Sequence, residues 1–160
     1  MESISRLGLS ALVTGTVASV LSTMALAAMA RAEGKSEIQP TNATSHWLHG
    51  DKAGQHEGVD FAHTAVGYVT HHASATFWAV PFEVWLANDP PQTVGDVIGK
   101  AAIVSGFAAA FDYGVVPKRL TPGWELVVSD KSMVGAFVSL AAGLAAGALV
   151  SRALPLSGKG

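Results

Sequence analysis

The chain has 160 residues, of which 49% are hydrophobic and 14% charged, with a formal net charge of −2 and a mean hydropathy of +0.36. A typical soluble domain carries about 25% charged residues, so this balance excludes disorder and argues against an ordinary soluble enzyme. There is no basic excess to neutralise phosphates, which excludes a dedicated nucleic-acid binder. Cysteine is absent, so disulfides, thiolate metal sites and thiol nucleophiles are excluded as well.

Residues 7–30 carry no charge, a run longer than the roughly 18 apolar residues that mark a membrane-spanning helix. Ala28-Met29-Ala30 matches a small-residue cleavage motif, but the run exceeds the usual apolar core of a signal peptide, about 7–15 residues. The expectation is a retained first span. Residues 31–60 form a polar loop rich in Gly, Ser, Thr, Asn and His, longer than most structureless connections and therefore a candidate functional loop. Within it, Asn42-Ala43-Thr44 matches a glycosylation acceptor.

Residues 61–86 predict a second, more polar span carrying His63, His71, His72 and Glu83, with Pro81 placed to bend it. Asn88-Asp89-Pro90-Pro91 ends it and starts the next. Residues 97–116 carry only Lys100 and Asp112 as charges and predict a third span, antiparallel to the second in a helical hairpin. After Lys118, Arg119 and Trp124, residues 132–153 predict the fourth. Trp78, Trp85 and Trp124 fall near span ends, where amphipathic rings favour the interface. The expected fold is an all-α polytopic transmembrane four-helix bundle, one membrane domain over residues 1–160. Arg31, Lys35, Lys52, Lys118, Arg119 and Lys131 outnumber Arg6, Lys100, Arg152 and Lys159 on the other side, which favours cytoplasmic loops and external termini.

In the fourth span Gly135, Ser139, Gly143, Gly147 and Ser151 recur at intervals of four. In lipid, such a ridge lets another backbone approach closely enough for dispersion to hold the pair. Ala102, Gly106, Ala110 and Gly114 repeat the pattern in the third span, and Gly15, Ser19, Thr23 and Ala27 in the first. The expectation is packing within the chain. The alternative is a homo-oligomer or a larger membrane complex.

All six histidines lie between residues 46 and 72. Imidazole and carboxylate are the usual ligands of zinc and iron when thiolate is missing, which makes His63, His71, His72, Asp112 and Asp60 candidate metal ligands and His46 and His49 secondary ones. His56 and Glu57 lie in the same stretch with no role assigned. Neither His-Glu-x-x-His nor Glu-x-x-His occurs. At 100° per residue, Asp60, His63, Gly67, His71 and Ser74 share one helical stripe, and His72, Thr76 and Glu83 another. In the hairpin Asp112 falls opposite Val69, so its expected partner is His71 or His72. The first expectation for that pairing is a structural hydrogen bond that fixes the helix pair, ahead of a metal site and then a proton relay.

His46-x-x-His49 and the doublet His71-His72 resemble the histidine boxes of membrane-bound fatty acid desaturases. That family spreads its boxes over both halves of the chain, whereas no histidine follows His72, and the match fails. The strings SHWLHGD, THHASATFWAV and DYGVVPKRLTPGWE resemble those of short bacterial membrane proteins, which implies an inner-membrane location and no particular activity. No phosphate-binding loop or Gly-x-Ser-x-Gly occurs. The functional expectation is a small membrane protein with an intramembrane His/Asp cluster that binds zinc or iron or relays protons. The alternatives are a non-catalytic subunit of a larger complex and, behind it, a desaturase-like oxidase.

Overall fold

The computed structural model describes residues 4–154, so Lys159, counted above among the flanking charges, lies outside it. Every regular element among the described residues is helical. Helix α1 (Ile4–Ala32) leads into a compact head made of two short helices, α2 (Gln39–Ala43) and α3 (His46–His49), a 3₁₀ turn (Asp51–Gln55) and a π-helical turn (Phe61–Ala65). Helix α4 (Val66–Asn88) and helix α5 (Val94–Gly114) follow, then two 3₁₀ turns (Lys118–Leu120 and Trp124–Leu126) and helix α6 (Asp130–Ala153).

Local chemistry sets the boundaries. Thr93 and Asp96 form a reciprocal capping box that starts α5 after the proline turn. Ser129 caps α6, its hydroxyl accepting from the Ser132 N–H. The Glu33 carboxylate, just past α1, accepts from the Ser129 N–H at 3.0 Å and from the hydroxyls of Ser129 and Ser132 at 2.6 Å each. These bonds hold its pKa below the ordinary value, the Ser129 hydroxyl contributing most. Pro81 lies inside a continuous α4.

Helix α1 runs between α6 and α4, antiparallel to both. Along α6, Gly147 meets Thr14, Gly143 meets Ala18 and Gly135 meets the Met29 sulfur. Along α4, Gly15 faces Thr76, and Ser19 and Ser22 reach His72 and His71. The α6 ridge therefore packs within the chain, with Gly143, Gly147 and Ser151 buried and Gly135 and Ser139 partly so. The third-span ladder lies elsewhere: Ala102, Gly106 and Ala110 are exposed, and nothing approaches Gly106 or Gly114.

Three helices, α1, α5 and α6, are long and apolar enough to cross a membrane. Helix α4 is not among them, because His71, His72, Glu83 and several hydroxyl residues offset its apolar side chains. His71 and Glu83 are nonetheless buried, with His72 and Thr76 partly so and Ser74 exposed, while Val69, Phe77, Val80 and Val84 face out. Helix α5 packs chiefly on α6, with the Ser105 hydroxyl donating to the Phe137 carbonyl at 2.7 Å. It meets α4 mainly through Trp78, whose ring lies 5.8 Å from those of both Phe107 and Phe111. At the opposite end from the head, the Thr14 hydroxyl donates to the buried Glu83 carboxylate at 2.6 Å, and Arg152 Nη1 lies 3.7 Å from it.

The expected polar loop is thus a folded head. Gly123 lies close against it, with a positive φ of 82° and a position where a Cβ would stand 2.5 Å from the Ala43 carbonyl oxygen.

Candidate metal centre

The centre forms where residues 56–64 fold back onto α2. Asn42 is fully buried. Its amide donates to the carbonyls of His56 at 2.7 Å and Gly58 at 2.9 Å, and its oxygen accepts from the Thr64 hydroxyl at 2.7 Å. One side chain therefore pins both the strand of backbone bearing His56 and the turn bearing His63. Burial also removes Asn42 from use as a glycosylation acceptor in the folded chain.

Asp60 begins the π-helical turn, its Oδ1 accepting from the His63 N–H at 2.6 Å. Its Oδ2 lies 3.0 Å from His63 Nδ1 and 2.8 Å from His56 Nε2. The His56 and His63 rings stack with centroids 4.2 Å apart, and the His49 ring lies 4.5 Å from that of His63. One ligand atom from each of His56, Asp60 and His63 falls within 4.8 Å of the others, the one such group among the described residues.

The orientation of His56 decides what the cluster can do. Its Nε2 is shielded from solvent and makes no hydrogen bond, despite its closeness to the carboxylate. The contact has an ion-pair distance without hydrogen-bond geometry, the placement that two ligands of a common centre would have. The His63 N–H, and after it the His63 ring, hold the Asp60 carboxyl down at about 2. It is therefore ionised at neutral pH, the state a metal ligand requires.

Of the residues expected to ligate, Asp60 and His63 come together here, joined by His56. His49 stands beside them with Nε2 donating to the Ala62 carbonyl at 2.9 Å. His46 is buried and donates to the Thr121 carbonyl at 2.9 Å, which ties α3 to the segment before α6. The expected union of Asp112 with a histidine does not form. His71 Nε2 lies 2.9 Å from the Ser22 hydroxyl and His72 Nδ1 2.9 Å from that of Ser19. The reason is packing: α4 lies along α1 over most of its length and only lightly on α5, so α1 supplies the partners. Asp112 instead walls a cavity that His71 also lines.

His56 joins the cluster without a helical signal, because it lies in extended backbone before the turn that begins at Asp60. The spacing His56, Asp60, His63 was the available signal. Asn42 left no such trace, since an orienting residue is defined by contacts distant in sequence. Comparison of the chain with protein-family models, with curated proteins and with solved structures finds no match.

Proposed function

We propose that this is an integral membrane protein that binds one divalent transition metal, zinc or iron(II), through His56, Asp60 and His63. The observation that carries the reading is the convergence of one ligand atom each from His56, Asp60 and His63 within 4.8 Å of one another, with His56 Nε2 at ion-pair distance from the Asp60 carboxylate but outside hydrogen-bond geometry. Two imidazoles and one carboxylate form a donor set with open positions, suited to iron(II) or to a zinc that keeps an exchangeable ligand. The buried Asn42 acts on the backbone of this set, orienting ligands in the way outer hydrogen bonds do in metal sites. In this reading α4 crosses the bilayer with α1, α5 and α6 as a fourth span, antiparallel to its neighbour α5. Its buried His71 and Glu83 and outward Val69, Phe77, Val80 and Val84 support that placement. The centre then sits in the head, at the membrane surface, and the two termini share the other side.

The test is metal content of protein purified in a non-chelating detergent and titrated with zinc and with iron(II) under anaerobic conditions. About one equivalent is expected, lost in His56→Ala and His63→Ala and retained in His46→Ala and His72→Ala. Absence of stoichiometric binding by the wild type overturns the reading. The exposed α5 face of Ala102, Gly106 and Ala110 favours a second one, a subunit docked to another membrane helix. Crosslinking from cysteine introduced at Gly106 tests it.

A further inference from the structure

A cavity of about 220 Å³ lies between α4, the end of α5, α6 and the head, apart from the metal centre. Its walls include Trp47, Trp78, Trp124 and Phe137, with the hydroxyl residues Thr70 and Ser74 beside them, the Thr70 hydroxyl accepting from Trp47 Nε1 and donating to the Val66 carbonyl. The Trp124 ring stands 5.5 Å from that of His71 and 5.4 Å from that of Phe137, so the aromatic wall is continuous. One charged group, the Asp112 carboxylate, borders the space.

Asp112 has no hydrogen bond or ion pair among the described residues. His71 is the imidazole that shares the cavity, and its Nε2 is engaged by Ser22. The nearest cations in sequence, Lys118 and Arg119, do not pair with Asp112, and Arg119 Nε instead donates to the Trp47 carbonyl. A carboxylate on a membrane helix is expensive and normally faces a partner. Here the partner position is an empty space with aromatic walls.

We infer that this cavity binds an alkylammonium group, whose charge pairs with Asp112 and whose carbon substituents lie against Trp78 and Trp124. The chemistry excludes the other classes. An anion would be repelled by the carboxylate, an uncharged apolar ligand would leave it unpaired, and a metal ion would find a single charged donor. Aromatic faces combined with a carboxylate are the recognition elements for organic ammonium ions. The volume is below the roughly 300–1,000 Å³ of drug-sized sites, which restricts the occupant to a head group or a small amine. The ammonium can belong to a free solute or to a phospholipid head group.

The experiment titrates choline into the full chain in maltoside detergent, read by tryptophan fluorescence and calorimetry, with 3,3-dimethylbutanol as the uncharged probe of the same shape. Choline should bind saturably and more tightly than the alcohol by roughly tenfold or more, an advantage that Asp112→Asn removes while leaving alcohol binding unchanged. The wild-type comparison of the two probes stands even if the variant fails to fold. Repeating the titration in phosphatidylglycerol and phosphatidylcholine nanodiscs separates the sources. Choline excluded only from the phosphatidylcholine discs assigns the site to a lipid head group, and equal binding in both assigns it to a free amine, either result upholding the site. Choline and the alcohol binding within about twofold of each other, or Asp112→Asn retaining the choline preference, overturns it.

Discussion

Gly143 of α6 and Ala18 of α1 face each other so closely that a methyl group on Gly143 would stand 2.5 Å from the Ala18 Cα. One turn on, a methyl at Gly147 would stand 2.6 Å from the Thr14 Cα. The obstacle is backbone in both places, so it cannot be relieved by a rotamer change. Gly143→Leu and Gly147→Leu should each lower stability in detergent by at least the roughly 1–3 kcal/mol typical of overpacking. Leu at the exposed Ala142 should leave the melting temperature nearly unchanged. Equal behaviour of all three would show that the ridge is not the α1–α6 interface.

Gly67 docks the start of α4 on the head, where a Cβ would lie 1.9 Å from the Thr41 carbonyl oxygen. Gly67→Ala should therefore separate α4 from α2 and weaken metal binding together with thermal stability. Gly106→Ala meets nothing within 4 Å and should be neutral or stabilising, since alanine is favoured over glycine inside a helix by roughly 1 kcal/mol. Metal titration and thermal melts of the two variants side by side check both statements.

The two acids on the neighbouring helices α4 and α5 should respond in opposite ways to removal. Glu83 is buried against Thr14 and faces the exposed Arg152, so Glu83→Leu leaves the buried Thr14 hydroxyl without its acceptor, at a cost of roughly 1–3 kcal/mol. Among the described residues Asp112 has no hydrogen bond or ion pair, and Asp112→Leu should leave stability in detergent unchanged or improved. A large loss of stability for Asp112→Leu would mean that the carboxylate has a structural partner after all.

Glu33 ties the end of α1 to the start of α6, and its carboxyl titrates below the ordinary value of 4.5 because the Ser129 hydroxyl, then the Ser132 hydroxyl, bond its charged form. A folded-state pKa lower than the unfolded one contributes stability that is complete above the unfolded value and lost as pH falls through the folded one. The melting temperature of the wild type should therefore exceed that of Glu33→Gln at neutral pH, and the gap should close as the pH falls below 4.5. A gap that stays constant over that range would show that the charge of Glu33 does not matter.

The sequence by itself determined the helical class, the apolar helices α1, α5 and α6, the proline turn after α4 and the inward ridge on α6. Each follows from local periodicity or from the absence of charge over a long run, which any bilayer-sized helix must show. It also marked residues 46–72 as the chemical region and separated two polar stripes on α4. What the stripes touch was decided only by the tertiary structure. Burying them against α5, the neighbour of α4 in sequence, is the arrangement in which Asp112 would meet a histidine. Close approach at Gly15 and Thr76 brings α4 onto α1 instead, so Ser19 and Ser22 take the two histidines and Asp112 is left at a cavity. The His56, Asp60 and His63 cluster follows the same logic, because Asn42 holds the His56 backbone from across the head, a contact that no local pattern encodes.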